Sequence, residues 1–270
     1  MLLFLLTWFC ALLTFSVLVF LIAHILIRGV PYIKPSLFAL TYTTETVSLF
    51  PALVTTILTV VASLLIAVPI GVFSAIYLTE YARRGNRFVK LIRTTAETLS
   101  GIPSIIYGLF GLLFFVTWLK WGFSLLAGSF TLSIMILPLI MRTAEESLKS
   151  VSDSYREGAF GLGAGRLRTV FVIVLPAAAP GILAGVILAV GRIVGETAAL
   201  IYTAGTVPQI PQTPFSSGRT LAIHMYALSS EGLYTGQAYA TAVILLITVA
   251  GINALSALVA KKLSNIDGKS

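Results

Sequence analysis

The stretch SDSYREGAFGLGAGRLRTVFVIVLP, residues 152–176, lies between long apolar runs and has an order of its own. Ser152 or Asp153 suits a helix cap, and acids occupy the first turn. From Tyr155 the apolar positions Ala159 and Leu162 recur at helical spacing. Gly161, Gly163 and Gly165 interrupt that pattern, and a second short apolar segment, Val170 to Leu175, ends at Pro176. The pattern predicts two short helices joined by a glycine turn at a membrane surface. It fits either a peripheral amphipathic hairpin or a knob on which a partner protein docks.

The runs on either side set the class. Of the 270 residues, 57% are hydrophobic and 10% charged, with a mean hydropathy of +0.99. Soluble domains carry about 25% charged residues, and no soluble monomer of this size could hide so much apolar surface. The unbroken runs also differ from the alternation of a porin-type strand. Cys10 is the single cysteine, so no internal disulfide or thiolate cluster forms. A membrane-crossing helix needs about 20 apolar residues. Six such spans are expected: Leu2 to Ile27, Phe50 to Tyr77, Ile102 to Leu119, Phe123 to Met141, Pro180 to Tyr202 and Tyr239 to Ala260. The first is too long for a signal-peptide core and lacks a cleavage signal, so it reads as an anchor helix. His24 near its end reads as an interfacial polar contact. A kink or break is expected at Pro69. The fold class expected is an all-α polytopic membrane protein with six transmembrane helices.

The net charge of +8 is a matter of topology, not of nucleic-acid binding. Arg83, Arg84, Arg87, Lys90, Arg93, Arg142, Lys149, Arg156, Arg166, Arg168, Lys261, Lys262 and Lys269 fall on one side of the six spans. Arg28, Lys34, Lys120 and Arg219 fall on the other. The positive-inside rule makes the crowded side cytoplasmic and puts both termini there. Arg192 alone lies within a span. Counted from Pro180 it sits about 18 Å along its helix, near the middle of a hydrocarbon core of about 30 Å. Glu196 follows at i+4, so the expectation is one helical face on which the two can pair directly. Two roles are open: mutual neutralisation that ties helices together, or a bidentate arginine site for a passing oxyanion with Glu196 holding the arginine between cycles. Arg142, expected at the cytoplasmic end of span four, either anchors its helix or meets exiting anion. Glu145 and Glu146 are expected to interact with Lys149. His224 lies in the external segment Thr203 to Gly236, with no second histidine or acidic cluster to make a metal site.

Glu157-Gly158-Ala159, Gly163 six positions after the glutamate, and Ile173-Val174-Leu175-Pro176 together resemble the EAA loop of ABC importer permeases. The spacing matches throughout, and Gly158 stands where alanine is usual. The resemblance implies a type I importer permease (MetI-like) fold. It divides the chain into an anchor helix with an external loop (1–49), a permease core (50–260) carrying the coupling loop (152–176), and a cytoplasmic tail (261–270). It implies that Glu157, Gly158, Ala159, Gly163, Leu175 and Pro176 couple the chain to a cytosolic ABC ATPase dimer. Pro176 and Pro180 are expected to stop one helix and prepare the next. Residues 50 to 205 are similar to phosphate-specific importer permeases of the PstA type, through Pro69 to Val72, Ala75 to Tyr81, Gly101 to Ile105, Arg142 to Glu146 and Arg192 to Ala198.

The resemblance then implies an inorganic phosphate importer in the inner (plasma) membrane. Arg192 and Glu196 would lie on the substrate path, with Arg142 a secondary candidate. Its partners would be the ATPase, a second homologous permease, an external phosphate-binding protein and the lipid bilayer. The chain lacks G-x-x-x-x-G-K-[ST], so ATP and Mg are expected to serve the partner ATPase, with no cofactor or metal on this chain. Other readings are a permease for sulfate, molybdate or phosphonate, a gradient-driven secondary anion transporter, and a membrane-embedded enzyme. The secondary transporter leaves the EAA loop without a purpose and shows no inverted repeat. An enzyme would need a catalytic cluster that the spans lack.

Overall fold

The chain needs every buried peptide group satisfied within its own segment if it is to cross lipid, and helices do that. The computed structural model describes residues 2–83 and 85–267, all helix, turn and loop with no strand among them. Arg84 and Lys269, counted above among the cytoplasmic charges, lie outside the described residues, as do the last positions of the expected tail. The anchor is α1 (Leu2–Gly29), and α2 (Phe50–Ile76) continues as a π-helical turn over Tyr77–Tyr81. Then come α3 (Arg87–Ser100) and α4 (Ser104–Gly111), the latter prolonged by a π-helical turn to Trp118. Next are α5 (Leu125–Ser150), α6 (Asp153–Gly161), α7 (Arg166–Thr169) and α8 (Leu175–Gly195). The series closes with α9 (Ala198–Ile201), α10 (Leu221–Glu231) and α11 (Thr235–Asp267).

Five helical runs are individually long and apolar enough to span a membrane. A sixth apolar run, Ser104–Trp118, meets that test only when taken together with α3, which joins it at 102°. Gly101-Ile102-Pro103 makes that corner, and Tyr107 Oη donates to the Leu99 carbonyl at 2.7 Å across it. The helix α2 passes through Pro69 without a break.

Three boundaries differ from the sequence expectation. Span four does not stop at Met141: α5 runs to Ser150. Its charged last turns are helical because they pair along the helix, Arg142 with Glu146 at 3.0 Å and Lys149 with Glu145 at 2.6 Å. Glu146 therefore meets Arg142, not Lys149. Span five begins at Arg166 instead of Pro180, and Pro176 ends nothing. A π-helical turn over Val170–Val174 feeds straight into α8, where Pro176 occupies the first turn and its missing N–H leaves no gap. The same span breaks after Gly195 instead of continuing to Tyr202.

Small residues let the spans approach closely, as lipid-embedded packing requires. Gly185 lies on Thr143, Gly181 on Ser147 and Gly71 on Ile140. Ser133 Oγ donates to the Ser63 and Ser129 carbonyls at 3.1 and 2.6 Å, stitching α2 to α5. The anchor α1 is almost wholly exposed, as a lipid-facing helix would be, and meets the bundle near its end. There His24 sits edge-on to Tyr239 at 5.8 Å, and Gly29 abuts the Tyr239 carbonyl.

The loop of residues 152–176 is fixed by one guanidinium. Arg156 Nε and Nη2 reach Glu80 Oε1 at 3.2 and 2.7 Å. Nη2 also donates to the Leu148 carbonyl at 2.9 Å, and Nη1 to the Val151 carbonyl at 2.7 Å and Asp153 Oδ1 at 3.2 Å. All five N–H groups are thus used. The hydrogen bonds to Glu80 hold the guanidinium charged more firmly than usual, against its partial burial. The two side chains are 15% and 8% exposed. Removing one partner of a buried pair costs on the order of 3–5 kcal/mol. Arg156→Gln and Glu80→Gln should each lower stability by a few kcal/mol in detergent unfolding, and the double variant by clearly less than their sum. Additive losses would show that the pair does not act as a unit.

Candidate functional site

Two regions carry the residues singled out by the sequence, and they occupy different depths. The first is the loop. α6 ends in a Schellman closure: Gly163 N donates to the Phe160 carbonyl and Ala164 N to the Ala159 carbonyl, both at 2.9 Å. Gly163 has φ +81°, the left-handed conformation this closure demands. Ala159 is buried, whereas Glu157, Gly158 and Gly163 face outward. Leu175 and Pro176 are half-buried in the first turn of α8. The outward face also carries large apolar side chains, with Tyr155 58%, Leu162 92% and Leu167 68% exposed. An apolar face beside a carboxylate at the end of a membrane bundle marks a surface that meets another protein or the membrane.

The second region is a cleft of about 580 Å³ between α3, α5 and α8. Arg192 and Arg142 both line it. The contacts of Gly181 with Ser147 and Gly185 with Thr143 define an antiparallel register between α8 and α5. Carried forward, it sets Arg192 about level with Ile136, near the midpoint of Leu125–Ser150. Arg142 lies about 9 Å nearer the loop side on the same scale. Arg93 at 2.7 Å and Lys149 neutralise Glu145, and Glu146 occupies Arg142. Among the described residues no carboxylate lies within 4.0 Å of Arg192.

The expected Arg192–Glu196 pair is therefore corrected. The i+4 relation needs an unbroken helix, and α8 ends at Gly195 with Glu196 in extended conformation, φ −74° and ψ 126°. Glu196, 9% exposed, instead accepts the Ala199 N–H at 3.0 Å. It places a carboxylate at the start of α9, where free N–H groups favour negative charge. Gly108 of α4 packs against the backbone of Ala199, and a Cβ there would come within 2.8 Å of its Cα. The break is thus built in from both sides, and it leaves Arg192 in the last turn of α8, facing the cleft.

Sequence reasoning missed Glu80 and the work of Arg156. The one available signal was a lone acid, Glu80, at the basic end of an apolar span. His224 is fully buried against Tyr42 at 6.0 Å. Burial first, then the charge of Arg219, lowers its pKa to about 3. Arg142 is not at a helix end but lies within α5, with its side chain 65% exposed.

Gly158 sits inside α6, and nothing lies within 4 Å of where its Cβ would be. Gly158→Ala should therefore stabilise the loop by about 0.5–1 kcal/mol through helix propensity alone. Slower amide exchange across Asp153–Gly161 is the expected readout, and faster exchange would contradict it.

Comparison with known proteins agrees with this geometry. The family described as binding-protein-dependent transport system inner membrane component matches residues 67–265. The probable ABC transporter permease protein YqgI of Bacillus subtilis (strain 168) is 38% identical over 184 residues, 63% of this chain and 62% of that protein. The chain thus spans somewhat under two thirds of that relative. The phosphate transport system permease protein PstA of Mycobacterium leprae (strain TN) is 33% identical over 211 residues, 77% of this chain and 69% of that protein. Among solved structures, a bacterial alginate ABC transporter in complex with its alginate-bound periplasmic protein aligns with a TM-score of 0.66 at 17% identity, covering 91% of both chains. The inward-facing MetNI methionine ABC transporter aligns with a TM-score of 0.61 at 19% identity, covering 80% of this chain and 94% of that one. These two likenesses establish the arrangement of helices. With the family match over most of its length, a bundle of five spans plus one bent pair, and an outward-facing EAA loop, the chain belongs to the binding-protein-dependent transport system inner membrane component family.

Proposed function

We propose that the chain is a membrane-spanning permease subunit of an ATP-driven inorganic phosphate importer. The observation that carries this reading is Arg192: an arginine near mid-depth, facing a cleft, with no carboxylate partner among the described residues. A charge at the bilayer centre costs about 2.5–3.5 kcal/mol on insertion scales. A guanidinium that has no protein carboxylate can offer its paired N–H groups to a tetrahedral oxyanion. Arg142 then serves as a second station toward the loop side, with Glu146 keeping it occupied between passages. Glu196 shapes the helix break that aims Arg192. The PstA relative's printed name supports phosphate as the oxyanion.

The rest of the assembly follows the same reading. A cytosolic ABC ATPase dimer seats on Glu157, Gly158, Ala159 and Gly163 and the apolar side chains beside them. It supplies the ATP and Mg chemistry. A second homologous permease completes the path. An external phosphate-binding protein docks on the opposite side, over the segments 28–49 and 203–236. Both termini and the loop are cytoplasmic, as the excess of basic residues on that side favours.

Uptake of radiolabelled phosphate into vesicles holding the assembled complex, with sulfate as competitor, tests this. Arg192→Gln removes a charged hydrogen-bond donor pair worth about 1.5–3 kcal/mol, so uptake should fall about 10- to 100-fold. The complex should still assemble and hydrolyse ATP. Unimpaired uptake, or equal uptake of sulfate, would overturn the assignment. Gly163→Val strains a backbone at φ +81° and should abolish ATP-dependent uptake, because the loop loses its closure. Normal coupling in that variant would remove the loop from the mechanism.

A further inference from the structure

We propose that a cleft on the loop side of the bundle, between α3 and the loop, binds the phosphate headgroup of an anionic phospholipid, with α3 lying in the membrane surface as its reader. The cleft has a volume of about 860 Å³. Seven basic side chains line it against Glu80, Glu97 and Asp153. Arg156 takes up Glu80 and Asp153, while Arg93 and Lys149 are drawn onto Glu145. That leaves Arg83, Arg87, Lys90 and Arg166 facing one carboxylate, Glu97. Among the described residues none of these four has a carboxylate within 4.0 Å. The Nε–H of Arg93 is buried there without an acceptor. Topology alone asks only that cations lie on this side of the membrane; it does not ask that they converge on one concavity.

The orientation of α3 selects the ligand. Its 102° angle to Ser104–Trp118 turns it nearly at right angles to a spanning run. A helix so placed lies along the membrane surface. Phe88 and Leu91, one turn apart, are 58% and 61% exposed and alternate with Arg87 and Lys90. Apolar side chains beside cations on a surface helix insert at the boundary between headgroups and acyl chains. Asn86 caps this helix, accepting the Phe88 N–H at 2.9 Å, so its first turn is held firmly at the mouth of the cleft. A free anion would use the cations only. An anionic lipid uses both the cations and the apolar pair, and that is the combination present.

Native mass spectrometry of the full chain in mild detergent, titrated with phosphatidylglycerol or with phosphatidylcholine of the same acyl chains, tests the proposal. Phosphatidylglycerol should be retained selectively. Each cation near a charged lipid surface contributes about fivefold to binding, so Arg87→Gln with Lys90→Gln should weaken retention about 25-fold. Arg87→Lys with Lys90→Arg should restore it, which separates loss of charge from loss of fold. Phe88→Ser with Leu91→Ser should weaken phosphatidylglycerol retention as well. Equal retention of the two lipids, or unchanged retention in the neutralised variant, would overturn the proposal. So would inorganic phosphate displacing the lipid at comparable concentration, which would make the cleft a soluble-anion site. Complete loss of the lipid on adding the ATPase subunit would make it a protein interface.

Discussion

The contact between Arg156 and Glu80 is the constraint on which the loop-side half of the architecture turns. The nine-residue helix α6 is too short to be stable in isolation, where about 12–15 residues are needed. The guanidinium gives it a fixed place by bonding at once to the end of α2, to two carbonyls at the end of α5 and to the first turn of α6. The buried side chains of Ala159, Val170 and Val174 finish the attachment. A displacement of α6 is thereby tied to α2 and α5 through one side chain with no spare donor.

Further into the membrane the design principle reverses. Glycine against serine and threonine lets α8 and α5 come close, which fixes their register. That register is what gives Arg192 its depth. The helix then stops at Gly195, where its last carbonyls and the first N–H groups of α9 would be costly inside lipid. Glu196 meets part of that cost by accepting from Ala199, and Gly108 packs on the backbone of Ala198 and Ala199 just past the break. Irregular backbone at this depth is tolerated where protein surrounds it or where it lines a cavity. Thr197 and Ala198, just past the break, line a cavity.

The sequence conveyed most where information was local and continuous. The apolar runs marked where the long helices lie, because composition alone marks them, though not their ends, and the glycine spacing of residues 161–165 foretold the turn that Gly163 makes. It misled where a local rule depended on something distant. Arg142, Glu145, Glu146 and Lys149 looked like the end of a span, yet their i,i+4 pairing carries the helix on to Ser150. Pro176 looked like a stop, yet the π-helical turn before it makes it a harmless first-turn residue. Arg192 and Glu196 looked like one face of one helix, and the break between them comes from packing that no window of sequence contains. Glu80 and Arg156 lie 76 residues apart, so nothing local could have joined them.

The two arginines also explain each other. Arg156 is saturated: every N–H has an acceptor, and a passing anion would gain nothing from it without first breaking a network worth several kcal/mol. Arg192 sits where a charge is more expensive, and among the described residues no carboxylate lies within 4.0 Å of it. If structural economy were the rule, the acid four residues away would have been spent on it. That acid is instead committed to a backbone N–H at the start of α9. A protein that uses its nearest carboxylate to hold a helix break, and leaves the arginine beside the break unneutralised, has kept one cation available at mid-depth. Availability, not charge as such, separates Arg192 from the saturated Arg156.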